Sequence, residues 1–166
     1  GEVLRGATHR VLRDRGMIPP VTSEAPRRRL AVHVTPRALR AVRDGSPWIF
    51  RDAITRTSFQ AAPGDVAIVF DDSKRFCAAG LWDPDGEIAL RVLATVATPI
   101  DRDLISARVH TAHARRAEVG KTCTGYRVVF GESDLLPGLV ADRYADTVVL
   151  RIYSACWLPW LDAVIE

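Results

Sequence analysis

Turn-forming clusters interrupt the chain about every ten residues between positions 30 and 93, and this punctuation leaves room only for short strands and one small helix. The clusters are Gly45-Ser46-Pro47, Pro63-Gly64-Asp65, Asp71-Asp72-Ser73 and Asp83-Pro84-Asp85-Gly86. Between them, residues 30–34 alternate apolar and polar as a strand does, and residues 48–50, 65–70, 76–81 and 88–93 are apolar runs of strand length. Residues 36–43 read as a helix, with Pro36 suited to its first turn and Leu39 and Val42 facing inward. Many short strands around one small helix predict a compact barrel. Trp48 and Phe50 flank Ile49 after a tight turn and are expected to cover the core of that barrel rather than to stack on a ligand.

After Thr98-Pro99 the pattern changes to helical spacing, with Ile100, Leu104, Ala107, Val109, Ala112 and Ala114 recurring up to about Val119, and Gly120 placed to end the helix. A strand at 126–130 and a loop at 131–138 follow, then a hairpin of 139–143 with 147–153 that turns at Tyr144-Ala145-Asp146. Residues 157–166 begin a helix with Trp160, Leu161, Val164 and Ile165 on its apolar side, and the absence of a stop signal predicts that the natural chain continues. At the other end, residues 18–26 are proline-rich and aperiodic. The expected organisation is a flexible segment over 1–28, a first domain over 29–97, and a second over 98–166 that is incomplete at its C-terminus.

No apolar run approaches the roughly 18 residues a membrane span needs, and the arginine-containing start lacks the apolar stretch of a secretory signal, which predicts a cytoplasmic protein. Cys77, Cys123 and Cys156 are too far apart for a metal or redox pair, and His110 with His113 has no partner at ligand spacing, so no metal is expected. The net charge of +3 conceals an asymmetry: residues 27–58 hold eight arginines against Asp44 and Asp52. A basic stretch of this kind is a footprint of a polyanion partner. Arginine is abundant everywhere in this chain, so its clustering, not its number, carries the argument. The candidate contacts are Arg28, Arg29, Arg37, Arg40, Arg43, Arg51 and Arg56.

Two stretches point further: Gly45-Ser46-Pro47-Trp48-Ile49-Phe50, and residues 126–144 with Gly131-Glu132-Ser133-Asp134-Leu135-Leu136-Pro137-Gly138-Leu139-Val140-Ala141-Asp142-Arg143 at their centre. Both resemble the S-adenosylmethionine-dependent large-subunit rRNA cytosine-C5 methyltransferases, from about Leu30 to the end of the chain. The resemblance implies an α+β chain: a small PUA-like mixed β-barrel that binds ribosomal RNA, then a truncated strand-and-helix connecting domain. The Rossmann-like catalytic domain expected next has no counterpart here, because no strand leads into a glycine-rich turn and helix. The resemblance therefore assigns no catalytic or cofactor-binding residue to this chain, and leaves S-adenosylmethionine to the full-length parent.

Glu132, Asp134, Asp142 and Arg143 stay open between two roles, a structural ion-pair network or the border of a substrate cleft. The functional alternatives are a free-standing RNA-binding module without enzymatic activity, and a scaffold whose charges merely solvate it.

Overall fold

The computed structural model describes residues 28–165, so the expected flexible segment lies, apart from Arg28, outside the described residues. Among the described residues nine strands fall into two sheets. β1 (Arg29–Val34), β2 (Trp48–Phe50), β3 (Ile54–Thr57), β4 (Val66–Phe70), β5 (Phe76–Trp82) and β6 (Ile88–Ala94) form the first, in the order β2-β6-β5-β4-β1-β3. β1 runs parallel to β4, and every other pairing is antiparallel. Helix α1 (Pro36–Arg43) starts as expected, with Pro36 in its first turn and the Thr35 hydroxyl accepting from Ala38 N at 3.4 Å.

The topology dictates the shape of this sheet. β2 and β3 are its opposite edges, yet only the 3-10 turn Arg51–Ala53 separates them in sequence. Four peptide units span at most about 14 Å, so the sheet must curl until its edges nearly meet. Two bonds pin the bridging turn to both sides: Arg51 N donates to Glu87 O at 2.8 Å, and Thr35 N donates to Ala53 O at 2.9 Å. The result is an open, curled sheet where a closed barrel was expected. β3 carries no apolar run and was absent from the sequence expectation.

Alternation along the central strands gives the sheet two buried faces. Leu30, Val32, Val34, Ile49, Ala67, Val69 and Leu90 point to the inside of the curl, where Leu39 and Val42 of α1 plug it. Val66, Leu81 and Leu93 point the other way, into a second cluster built by the rest of the chain. That part comprises α2 (Arg102–Arg115), α3 (Ala117–Thr122), the meander β7 (Gly125–Phe130), β8 (Leu139–Tyr144) and β9 (Thr147–Ile152), and α4 (Leu161–Ile165). Ile105, Leu136, Leu139, Trp157 and Trp160 fill the cluster. Both indoles are also bonded: Trp157 Nε1 donates to Pro137 O at 2.8 Å and Trp160 Nε1 to Gly64 O at 2.9 Å, the latter reaching back to the first sheet.

Three expectations need correction. Gly120 lies inside α3 and does not end the helix; a side chain there would meet the Tyr126 hydroxyl at 2.7 Å, so glycine serves close packing. Residues 155–160 form a 3-10 segment before α4, because Pro159 has no N–H to give an α-helical ladder. Trp48 and Phe50 are not core residues: they are 37% and 48% exposed, while Ile49 between them is 1% exposed. Among the described residues no helix is long and apolar enough to cross a membrane.

The two tryptophans should therefore respond differently to truncation. Trp157→Ala removes a fully buried, hydrogen-bonded ring and is expected to cost about 3 to 5 kcal/mol. Trp48→Ala should cost less than about 1 kcal/mol, as surface changes do. Urea unfolding followed by circular dichroism checks both, and equal losses would contradict this packing.

Candidate nucleic-acid interface

Helix α1 presents Leu39 and Val42 to the core, so Arg37, Arg40 and Arg43 fall on its solvent face. Arg43 lies 3.9 Å from Asp71, a carboxylate already held by Arg75 at 2.8 Å. Arg37 and Arg40, together with Arg29 at the start of β1, are exposed and have no side-chain partner among the described residues.

The other expected arginines are engaged. Arg28 stacks on Phe59 with 3.9 Å to the ring centroid, and Arg56 reaches His33 Nε2 at 3.3 Å. Arg51 is a clamp: its Nε and Nη2 donate to Gly86 O at 2.9 and 2.7 Å, and Nη2 donates to Asp83 O at 2.6 Å. These bonds hold the β5–β6 loop against the bridging turn.

Between α1 and the β2 edge lies a groove of about 1040 Å³, with Arg37 on one wall and Trp48 and Phe50 on the other. The aromatics face outward because β2 is only three residues long and Ile49 takes its single inward position. Ser46 fixes the entry, its hydroxyl donating to Trp48 O at 3.0 Å. The indole is oriented from far along the chain, since Trp48 Nε1 donates to Glu132 Oε1 at 3.1 Å. Asp52, Asp85 and Glu87 add three carboxylates to the lining. Two open aromatic faces beside the exposed Arg37 are what stacking and phosphate contact require. The arginines were legible as a cluster; the aromatics of this site were assigned to the core instead.

The acids of the 131–143 stretch separate into different roles. Asp134 is buried, accepts from Phe130 N at 2.7 Å, and is bound by Arg116 at 2.8 Å with Arg115 at 3.4 Å. Burial pushes its pKa up, but the Arg116 hydrogen bond, the Phe130 amide and the two guanidinium charges outweigh that and hold it below 3.8. Asp142 is gripped by Arg127 through contacts of 2.8 and 3.2 Å, which lower its pKa against a smaller effect of burial. Glu132 is exposed and accepts from the indole of Trp48, while Arg143 Nε caps the hairpin turn at Ala145 O, 2.8 Å away.

Sequence reasoning missed Arg108, whose guanidinium donates to Leu93 O and to Leu135 O at 2.7 Å and so ties α2 to the first sheet and to the 131–138 loop. No group of three or more potential metal ligands occurs among the described residues.

Residues 32–95 match the family of PUA-like domains. Over 87% of its length the chain is 42% identical to "Ribosomal RNA large subunit methyltransferase" of Deinococcus radiodurans, of which it covers 36%. It is 29% identical over 82% of its length to "Ribosomal RNA large subunit methyltransferase I" of Shewanella denitrificans, again covering 36% of that protein. In fold it is similar to a Streptococcus mutans protein assigned as a SAM-dependent methyltransferase, with a TM-score of 0.70 at 14% identity over 81% of this chain and 36% of the other. The chain thus carries a PUA-like domain and spans about a third of the length of the curated relatives it matches.

The Asp134 cluster yields a prediction with a defined sign. Its pKa is lower folded than unfolded, so its stabilisation is present above the unfolded value of 3.8 and fades as pH falls through the folded one. Asp134→Asn should cost about 3 kcal/mol at pH 7, because it removes the carboxylate from a buried ion pair. The gap between variant and parent should shrink below pH 3.8. A gap in urea-unfolding free energy that is independent of pH would refute the assignment.

Proposed function

Because the chain carries a PUA-like domain and is homologous over most of its length to ribosomal RNA large subunit methyltransferases, we propose that it is the RNA-binding and substrate-positioning portion of an S-adenosylmethionine-dependent rRNA cytosine-C5 methyltransferase. The observation that carries the reading is the groove where unpaired Arg37 faces the open rings of Trp48 and Phe50. Arg29, Arg37 and Arg40 supply the free phosphate contacts, Arg28, Arg43 and Arg56 supplement them from the rim, and Arg51 acts by holding the fold closed. Folded RNA is engaged through its backbone and shape, with unstacked bases reaching the aromatics. Residues 29–97 are the RNA-binding unit in this reading, and residues 98–166 connect it to the rest of a longer protein. A cytoplasmic location follows from the proposed substrate.

The residues described here do not fit a nucleoside cofactor. The parallel pair β1 and β4 leads into α1 through Thr35-Pro36 and into the Asp71 turn, neither of them a glycine-rich cradle at a helix start. Burial pushes the Cys156 thiol up to about 11, so it stays protonated and is no nucleophile at neutral pH. Cofactor and nucleophile are assigned to the remaining length of the parent, and this chain's own residues hold and orient RNA.

Affinity for a structured rRNA fragment should fall linearly with salt on logarithmic axes, with a slope of roughly −0.7 to −0.9 per phosphate neutralised. Replacing Arg37 and Arg40 together by Glu should weaken binding and flatten that slope. Arg102→Glu with Lys121→Glu is the control of equal charge change, placed on α2 and α3. Equal effects from both pairs would mean general electrostatics without a site, and an unchanged affinity at low salt would sink the reading.

A further inference from the structure

A second cavity, of about 420 Å³, opens on the solvent face of the three-stranded sheet, and nothing in the groove reading uses it. It is walled by Tyr126, Phe130 and Tyr144, with Arg127 and Asp142 between them. Alternation explains the placement: Leu139 and Ala141 of β8 face the core, so Asp142 opens onto the pocket and Tyr144 is 58% exposed beside it. On β7, Val129 faces the core and Phe130 is 51% exposed, and the register shift between Arg127 and Val129 lets Arg127 pair with Asp142 beside that ring. The guanidinium carbon lies 5.0 Å from the Phe130 centroid. Tyr144 is paired with Gly125, which also lines the pocket and presents no side chain to it.

The chemistry of this pocket selects its occupant. Its volume lies within the range of small-molecule sites, and the exposed rings of Phe130 and Tyr144 offer π faces suited to a flat ring. The charges of its lining are already paired, Arg127 with Asp142 through two contacts and Arg116 with the buried Asp134. A phosphate gains little there. A neutral planar ring that both donates and accepts hydrogen bonds finds donors and an acceptor at the edges of the pair. Phe130 directly precedes the turn Gly131–Asp134, whose Glu132 holds the indole of the groove, so pocket and groove meet across one 3-10 turn.

We propose that this pocket takes one unstacked nucleobase of the RNA whose backbone lies on α1. The inference rests on the RNA-binding reading above and adds a second base site, on the connecting part of the chain. Base and aromatic stack, and the Arg127–Asp142 pair reads the edge of the base.

The test uses the full chain and two probes: a blunt RNA hairpin, and the same hairpin with a single-stranded tail containing 2-aminopurine. Binding of the tailed probe should quench the 2-aminopurine fluorescence and be tighter than binding of the blunt one. Tyr144→Ala and Phe130→Ala, both at exposed positions, should abolish the quench and weaken the tailed complex by roughly tenfold, the scale of one lost base stack. Neither should alter affinity for the blunt hairpin, and Tyr144→Phe should restore the quench. A quench that survives both alanine variants, or an equal weakening of both probes, overturns the pocket and leaves the groove standing. If Arg37→Glu with Arg40→Glu leaves the blunt hairpin bound while the alanine variants still lose the quench, the groove reading fails and the pocket stands. Absence of binding to either probe by the parent chain overturns both.

Discussion

The closure of the first sheet rests on the turn Arg51–Ala53. Its two neighbours in sequence are strands on opposite edges, so the turn acts as a hasp: wherever it is held, the sheet stays curled. Backbone bonds to Glu87 and Thr35 hold it from both sides, and the Arg51 guanidinium adds three contacts to the carbonyls of the β5–β6 loop. The curl in turn sets the distance between α1 and the β2 edge, and that distance is the width of the groove. Arg51, expected from its charge to contact RNA, is thus engaged in shaping the groove.

Polar groups at the seam between the two parts of the chain follow the same logic of long reach. Arg108 spans from α2 to the end of β6 and to the 131–138 loop, and Asp134 draws α2 onto that loop through Arg115 and Arg116. Each is bonded on more than one side, which makes burying it tolerable. Gly138 completes the fit: it sits at φ +81°, and a side chain there would meet Arg91 Nε at 2.7 Å. The glycine allows the loop to lie directly on the sheet. The loop carries Glu132 to the groove on one side and adjoins Phe130 of the sheet pocket on the other.

Much of this architecture was legible in the sequence because its signals are local. Alternation gave β1, turn clusters delimited the apolar runs of β4, β5 and β6, and Pro36 marked the start of α1. Where the signal is not local, reading failed. β3 contains Thr55, Arg56 and Thr57 and is a strand only because β1 pairs with it. Trp48, Ile49 and Phe50 are all large and apolar, and only the sheet decides which one turns inward. The partners of Asp134 lie 18 and 19 residues away, so its structural role could not be read beside it. The aromatic half of the groove was lost to the same cause, whereas the arginine half showed as a charge excess.

The two-sided burial of β4, β5 and β6 makes the seam between the parts a matter of solubility as well as architecture. Were the first sheet produced alone, Val66, Leu81 and Leu93, covered here by Ile105, Trp157 and Trp160, would face water as one sticky plane. The boundary expected near residue 97 has no counterpart in the oily interior, where residues from both sides of it share one cluster. Unlike a bead on a string, this PUA-like unit cannot be lifted out and reused without something to lie on its back, so shuffling of such modules would carry the second part of the chain along with them.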